Sequence, residues 1–263
     1  MKSVIRIIAP TFLVLLSFRV TVAQKIGMGT GTTTTPTGTA TTPNSNTKPT
    51  NTVTNTVTNF TNAEAASAIK EALSKGVTAG VNKVSVLDGY FKNEMIKILF
   101  PPQAREAETT LRKIGLGSMI DNVVKSMNRA AEDAAKQAGP IFLNAIKQMT
   151  INDAVNIVAN QQKDAATRFL EKNTTEQLVL SFKPSIKSAL DKTLATKYWS
   201  DVTTRYNRIP FVRKVDTDLP DYVTRKAISG LFYMVAQEEM KIRKDPKAAA
   251  SSIIEKVFGG IKF

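Results

Sequence analysis

From Thr61 onward, apolar residues recur about every 3.6 positions, the period of amphipathic helices. Thr61-Asn62-Ala63-Glu64 forms a capping box, in which the threonine hydroxyl takes an amide of the first turn and the glutamate reaches back. Ala65, Ile69, Ala72, Leu73, Gly76, Gly80 and Val84 then share one stripe. Gly76 and Gly80 weaken a helix intrinsically. Their place on the stripe points either to close approach of another backbone or to a helix that frays after Ser74.

Between Asp88 and Pro102 the period is lost. Asp88-Gly89 signals a turn, and Pro101-Pro102 ends any helix. The segment carries Tyr90, Phe91, Met95, Ile96, Ile98, Leu99 and Phe100, too apolar for an ordinary surface loop. It is expected to fold over the core, with a short strand or a flap over a cavity as the alternative.

Helical periodicity then resumes. The pattern predicts helices over 103–114, stopped at Gly115, and over 118–138, stopped at Gly139. The second carries Ile120, Val123, Met127, Ala130 and Ala134 on one face. Pro140 suits the first turn of the next helix. Thr150 to Asp153 opens another. Short helices are expected over 164–172 and from a second capping box, Thr174-Thr-Glu-Gln177, to Phe182. Pro184 begins one to Leu194, and residues 197–207 carry the only tryptophan, Trp199. After a loop over 208–219, Pro220 begins the longest helix, to Lys244, and Pro246 the last, to Phe258. About ten helices with short loops and no hairpin signal define a single all-α domain of antiparallel neighbours.

The first 62 residues contain no Asp or Glu. Lys2 and Arg6 precede an apolar run from Ile7 to Phe18, and Thr21-Val22-Ala23 offers small residues for cleavage. Residues 1–23 therefore read as a secretory signal peptide. The run is about 12 residues, too short to span a bilayer; an uncleaved anchor is the alternative. No Cys follows it, which excludes a bacterial lipoprotein anchor. Residues 24–62 read as a disordered Thr/Asn/Pro-rich tether, unable to bury enough apolar surface to offset its ordering entropy. A fluctuating extended strand is the other reading. Three domains of use follow: signal 1–23, tether 24–62, helical domain 63–263. The mature chain is expected to be exported, periplasmic or envelope-associated.

Charge and composition narrow the chemistry. The chain has 36 basic and 22 acidic residues, a net +14. Lys2, Arg6, Arg19, Lys25 and Lys48 precede position 63, so the helical region keeps 31 basic residues against 22 acids, or +9. Without Cys, no disulfide framework, thiol nucleophile or iron–sulfur site is possible. Without His, the commonest general base, the usual zinc ligand and the Ser-His-Asp arrangement are absent. Gly27-Met-Gly-Thr-Gly and Gly115-Leu-Gly lack the spacing and context of phosphate loops. The run from Asp216 to Asp221 lacks the glycine at position six and the glutamate at position twelve of a calcium loop. No cofactor or metal is expected.

Two groups of residues stand out. Glu238 lies on the stripe Ala227, Leu231, Val235, Ile242, where a carboxylate needs a partner or a raised pKa. Asn128, Arg129 and Glu132 could supply one, and Glu239 adjoins it. These five form a candidate polar network, either a structural ion pair or a general acid/base pair. Arg205, Arg208, Arg213, Lys214, Arg225 and Lys226 cluster around Tyr206, Phe211 and Tyr222. Such a cluster can bind anionic headgroups, or it can be a solvated face. Export argues against a genomic nucleic-acid partner.

Several motifs resemble one family. They include Lys70-Glu-Ala-Leu-Ser-Lys-Gly-Val, Phe91-Lys-Asn, Leu111-Arg-Lys-Ile-Gly-Leu-Gly and Ser126-Met-Asn-Arg-Ala-Ala-Glu132. Tyr206-Asn-Arg-Ile-Pro210, Tyr222-Val-Thr, Gly230-Leu-Phe, Glu238-Glu239 with Ile242-Arg243, and Lys256-Val-Phe-Gly259 complete them. Over residues 66–260 the chain resembles the domain of unknown function (DUF) 4197 family. The resemblance implies an exported, mainly helical bacterial protein; it brings no activity and no catalytic residues. One departure is Ala248-Ala-Ala-Ser251, where the family pattern has Ala-Arg-Thr-Thr. The leading expectation is a non-enzymatic envelope protein binding a partner or an apolar or anionic ligand. The alternative is a carboxylate-dependent enzyme using Glu132 and Glu238.

Overall fold

A computed structural model describes residues 60–260, apart from residues 161, 209, 212, 213 and 217. The expected signal peptide, the tether up to residue 59, Arg213 and the side chain of Arg205 lie outside the described residues. Helix α1 (Asn62–Val84) begins on the expected capping box: Glu64 donates its amide to Thr61 Oγ1 at 3.2 Å, and Thr61 donates its own to Glu64 Oε2 at 2.8 Å. Every residue of the expected stripe is buried, and the helix runs on past Ser74. Gly80 explains itself, because a Cβ there would lie 3.2–3.4 Å from the side chain and backbone of Val235.

The remaining helices are α2 (Arg105–Lys113), α3 (Gly117–Ala135), α4 (Ala138–Gln148), α5 (Ile151–Ala159), α6 (Ala165–Lys192), α7 (Ala195–Tyr206), α8 (Leu219–Lys244) and α9 (Ser252–Phe258). Among the described residues there are nine α-helices, two short 3-10 turns at Pro102–Ala104 and Pro246–Ala249, and no strand. Helix α8 packs against α1, α6 and α3, and α3 packs against α6; α4, α5 and α9 gather around α1. Tyr90, Phe142, Phe182, Leu178, Ile186 and Trp199 fill the interior. The Phe142 and Phe232 rings meet edge-to-face at 5.5 Å.

Three boundaries differ from the sequence pattern, each for a local reason. The helices expected at 164–172, 174–182 and 184–194 are one 28-residue helix, α6. Thr174 does not cap; it is buried and its hydroxyl donates to the Leu170 carbonyl one turn back, as Thr175 does to Glu171. Pro184 sits inside α6 on its exposed side, where the lost backbone bond falls near exposed Leu180 rather than in the core. Gly139 lies inside α4, and the break falls instead at Lys136 and Gln137. The last expected helix splits at Ala250, which adopts a left-handed conformation (φ 49°), so that Ser251 caps α9.

The apolar segment over 85–101 is neither strand nor helix but a strap of turns laid across the core. Tyr90, Ile96, Ile98 and Phe100 are buried, while Leu87, Met95 and Leu99 are exposed. Gly230 on α8 gives the strap its seat: a Cβ there would stand 2.8 Å from the Tyr90 ring and 3.1 Å from Ile96. At its far end Phe100 meets Trp199 edge-to-face at 5.3 Å.

Candidate functional site

A non-helical strap over an apolar core must find partners for its backbone groups, because buried ones left unpaired are costly. Helix α3 supplies them from Asn128 and Glu132, with Arg129 bracing Glu132 and the strap's Asp88. Asn128, fully buried, accepts from the Ile98 amide at 2.8 Å and donates to the Ile98 and Val124 carbonyls at 2.8 Å each. Glu132 Oε1 accepts from the Tyr90 and Phe91 amides at 3.1 Å. Arg129 bridges Glu132 Oε2 and Asp88 Oδ1, each at 2.6 Å. Bonds from Lys92 and then Arg129 hold the Asp88 carboxyl below its ordinary range. Tyr90 donates its hydroxyl to the Ala227 carbonyl at 2.6 Å, and burial drives its pKa up. Asn128, Arg129 and Glu132 are thus a clamp for the strap.

Glu238 and Glu239 stand apart from that clamp. Glu238 pairs with Lys83 of α1 at 2.5 Å and Lys241 at 2.9 Å. Burial works to raise its pKa, but the two lysines outweigh it and hold the carboxyl low. The pairing of Glu238 with Arg129 expected from the sequence is not what the structure has. Glu239, 8% exposed, caps α6 from outside: it accepts from the amides of Ala166 at 3.0 Å and Thr167 at 2.7 Å, and from Arg243 Nε at 2.9 Å. A carboxylate there meets the free amides and the positive end of the helix. The five residues therefore form two strap- and helix-holding units and a separate α1–α8 ion pair.

The basic cluster is also divided. Arg225 is bound to Asp221 at 2.7 Å, and Lys183 bridges Asp221 and Asp218 at 3.0 and 3.1 Å. Arg208, Lys214 and Lys226 are exposed and have no ion-pair partner among the described residues. The tyrosines bond outside the cluster: Tyr206 donates to Glu106 Oε2 of α2 at 3.1 Å, and Tyr222 to the Leu99 carbonyl of the strap at 2.9 Å. Burial pushes the Tyr222 phenol up to about 12.

A solvent-open cleft of about 470 Å³ lies between the strap and α2. Phe91, Leu99, Phe100 and Val124 form its apolar wall, and Lys97, Arg105 and Arg112 line it with Glu108 and Asp121. Arg112 is engaged by Asp121 at 2.8 Å and Glu108 at 3.0 Å. Lys97 sits 4.9 Å above the Phe91 ring and only 3.9 Å from the largely exposed Glu94. Arg105 has no acidic partner among the described residues. This site was not read from the sequence. The i, i+7 spacing of Arg105 and Arg112 could have flagged one face of α2, but nothing periodic links them to Lys97 on the strap. No group of three or more acidic side chains among the described residues could hold a metal ion. No helix among them is long and apolar enough to cross a membrane.

The fold and site define an all-α domain with a clamped apolar strap bordering a cationic cleft. The chain belongs to the family described as protein of unknown function, DUF4197, whose pattern it matches over residues 59–259. No curated protein and no solved structure matches it.

Proposed function

We propose that this is a non-enzymatic, exported protein of the cell envelope that binds an anionic ligand with apolar parts in the cleft between the strap and α2. The observation that carries the reading is the lining: an unpaired guanidinium, Arg105, and a weakly paired ammonium, Lys97, beside the Phe91 ring and Leu99. Concave, mostly apolar sites with a few convergent polar groups are where small ligands bind. Export rests on the N-terminal pattern, Lys2 and Arg6 before an apolar run and Thr21-Val22-Ala23. Exported protein from its natural host should begin at or near Gln24; intact Met1 on exported material would refute cleavage, and recovery from the cytoplasm alone would refute export.

A carboxylate-dependent enzyme finds less support, since Glu132 is consumed by two backbone amides and Arg129, and Glu238 by two lysines. Anionic headgroups at the basic cluster are favoured by the exposed, unpaired Arg208, Lys214 and Lys226. One experiment separates the two binding readings. Anilinonaphthalene sulfonate, an anionic apolar dye, should bind at low salt and weaken as salt rises. Lys97→Glu with Arg105→Glu should abolish its binding without changing the melting temperature, and Arg208→Glu with Lys226→Glu should not. The reverse pattern moves the site to the cluster.

A further inference from the structure

On the opposite side of α2 lies a second opening, a groove of about 550 Å³ between α2, the start of α3 and α7. Leu111, Ile114, Leu116, Met119, Tyr198 and Val202 make its apolar surface. Ile114 is 66% exposed and Leu116 39%, an apolar edge presented to solvent. A third opening, of about 400 Å³, wraps the N-terminal end of α2. It shares Arg105 with the cationic cleft and Glu106 and Tyr206 with the apolar groove, so the three are contiguous. Helix α2 is the ridge between them and buries only Ala107 of its own nine residues.

The two ends of this path differ in sign. Lys97, Arg105 and Arg112 line the cleft against Glu108 and Asp121, both engaged by Arg112, so Lys97 and Arg105 leave it net positive, whereas the charged residues of the groove are Glu106 and Asp201. An anion is attracted to the first end and repelled from the second, while apolar surface is concentrated at the second. We infer that the ligand is a single-chain anionic amphiphile, bent around the N-terminal end of α2, with its head on Arg105 and Lys97 and its hydrocarbon chain in the groove. This deepens the proposed binding reading and rests on it. The shared head chemistry is a carboxylate or a phosphate monoester. One chain is specified because the Tyr206–Glu106 hydrogen bond, at 3.1 Å, ties α7 to α2 where the third opening meets the groove, and the ligand must pass beside it.

The test is calorimetric titration of the protein with butyrate, octanoate, decanoate and dodecanoate below micelle formation, and with the matching alkyl phosphates. Full burial of a methylene is worth about 0.8 kcal/mol, or about fourfold in affinity. In a groove open on one side, affinity should rise at least about twofold per methylene. Ile114→Glu with Leu116→Glu, both at exposed positions, should flatten that rise. Arg105→Glu should weaken every long-chain member by about tenfold, the worth of a charge-assisted bond. The stronger series identifies the head as carboxylate or phosphate. Sensitivity to Arg105 without chain-length dependence would overturn the amphiphile inference and leave the binding reading standing. So would a chain-length rise that the groove variants do not touch. Equal binding of alkylammonium ions, or no binding of any member, would sink both.

Discussion

Glu238 and Glu239 are neighbours with different tasks, and each can be tested alone. The Glu238 carboxyl is held below its ordinary pKa by Lys83 and Lys241 against the effect of burial. A depressed folded pKa adds stability that is fully present above the unfolded value of about 4.3 and is lost as pH falls through the folded value. Glu238→Gln should therefore flatten the fall in melting temperature just below about pH 4.3, measured by scanning calorimetry. An unchanged acid limb would show that the lysines do not hold this carboxylate. Coupling should follow the observed partners. A double-mutant cycle between Arg129 and Glu132 should show about 1–3 kcal/mol of interaction, and one between Arg129 and Glu238 less than about 0.5. Asn128→Leu leaves the buried Ile98 amide and carbonyl without partners and should cost about 3 kcal/mol, given about 1–3 per orphaned group. Denaturant unfolding measures all three.

Among the elements, the strap depends on space as much as on bonds. Gly230→Ala would drive a methyl into the Tyr90 ring and Ile96, and should destabilise by about 2 kcal/mol, within the range of overpacked sites. Gly76→Ala meets nothing closer than 3.7 Å and should instead stabilise α1 by up to about 1 kcal/mol, the propensity difference in a helix interior. A loss at Gly76 as large as that at Gly230 would mean that α1 and α8 lie closer than described. Individual helices were readable wherever a cap signal led into an unbroken apolar stripe, as along α1, and the boundaries failed where two local signals competed. At Thr174 the threonine-glutamine spacing imitates a capping box, but the hydroxyl instead bonds back one turn inside α6. At Pro184 a residue that usually starts a helix is carried within one, on the side facing solvent.

For the molecule as a whole, the all-α class was legible because period and cap signals recur throughout residues 62–258. The polar clamp was legible only in part. Asn128, Arg129 and Glu132 were picked out as possible partners for Glu238, yet Asn128 and Glu132 hold the backbone of the strap and Arg129 its Asp88, and no side-chain pattern announces a backbone partner. Lys83 opposite Glu238 is a meeting of distant segments, set by how helices stack and by no local rule, and Lys97 comes to the same cleft as Arg105 through a strap of turns that has no period to read. Thr61 caps α1 and Phe60 packs against the core, so it is residues 24–59 that are expected to contribute little to stability, given their composition. Deleting residues 26–59 should leave the melting temperature within about 2 °C, since an unfolded tail makes few stabilising contacts. A larger fall would show that the tail packs on the domain.

The end of the strap also gives the protein a built-in optical reporter. Its sole tryptophan, Trp199, is 2% exposed and touches the strap through the Phe100 ring, while its indole N–H donates to the Asp216 carbonyl at 3.3 Å. Lifting the strap would bring water to one face of that indole while leaving the helices intact. Emission should then shift to longer wavelength before any change in helical circular dichroism. Ligand arrival beside Phe100 should be visible in the same signal, so movement of this segment can be timed without attaching a label.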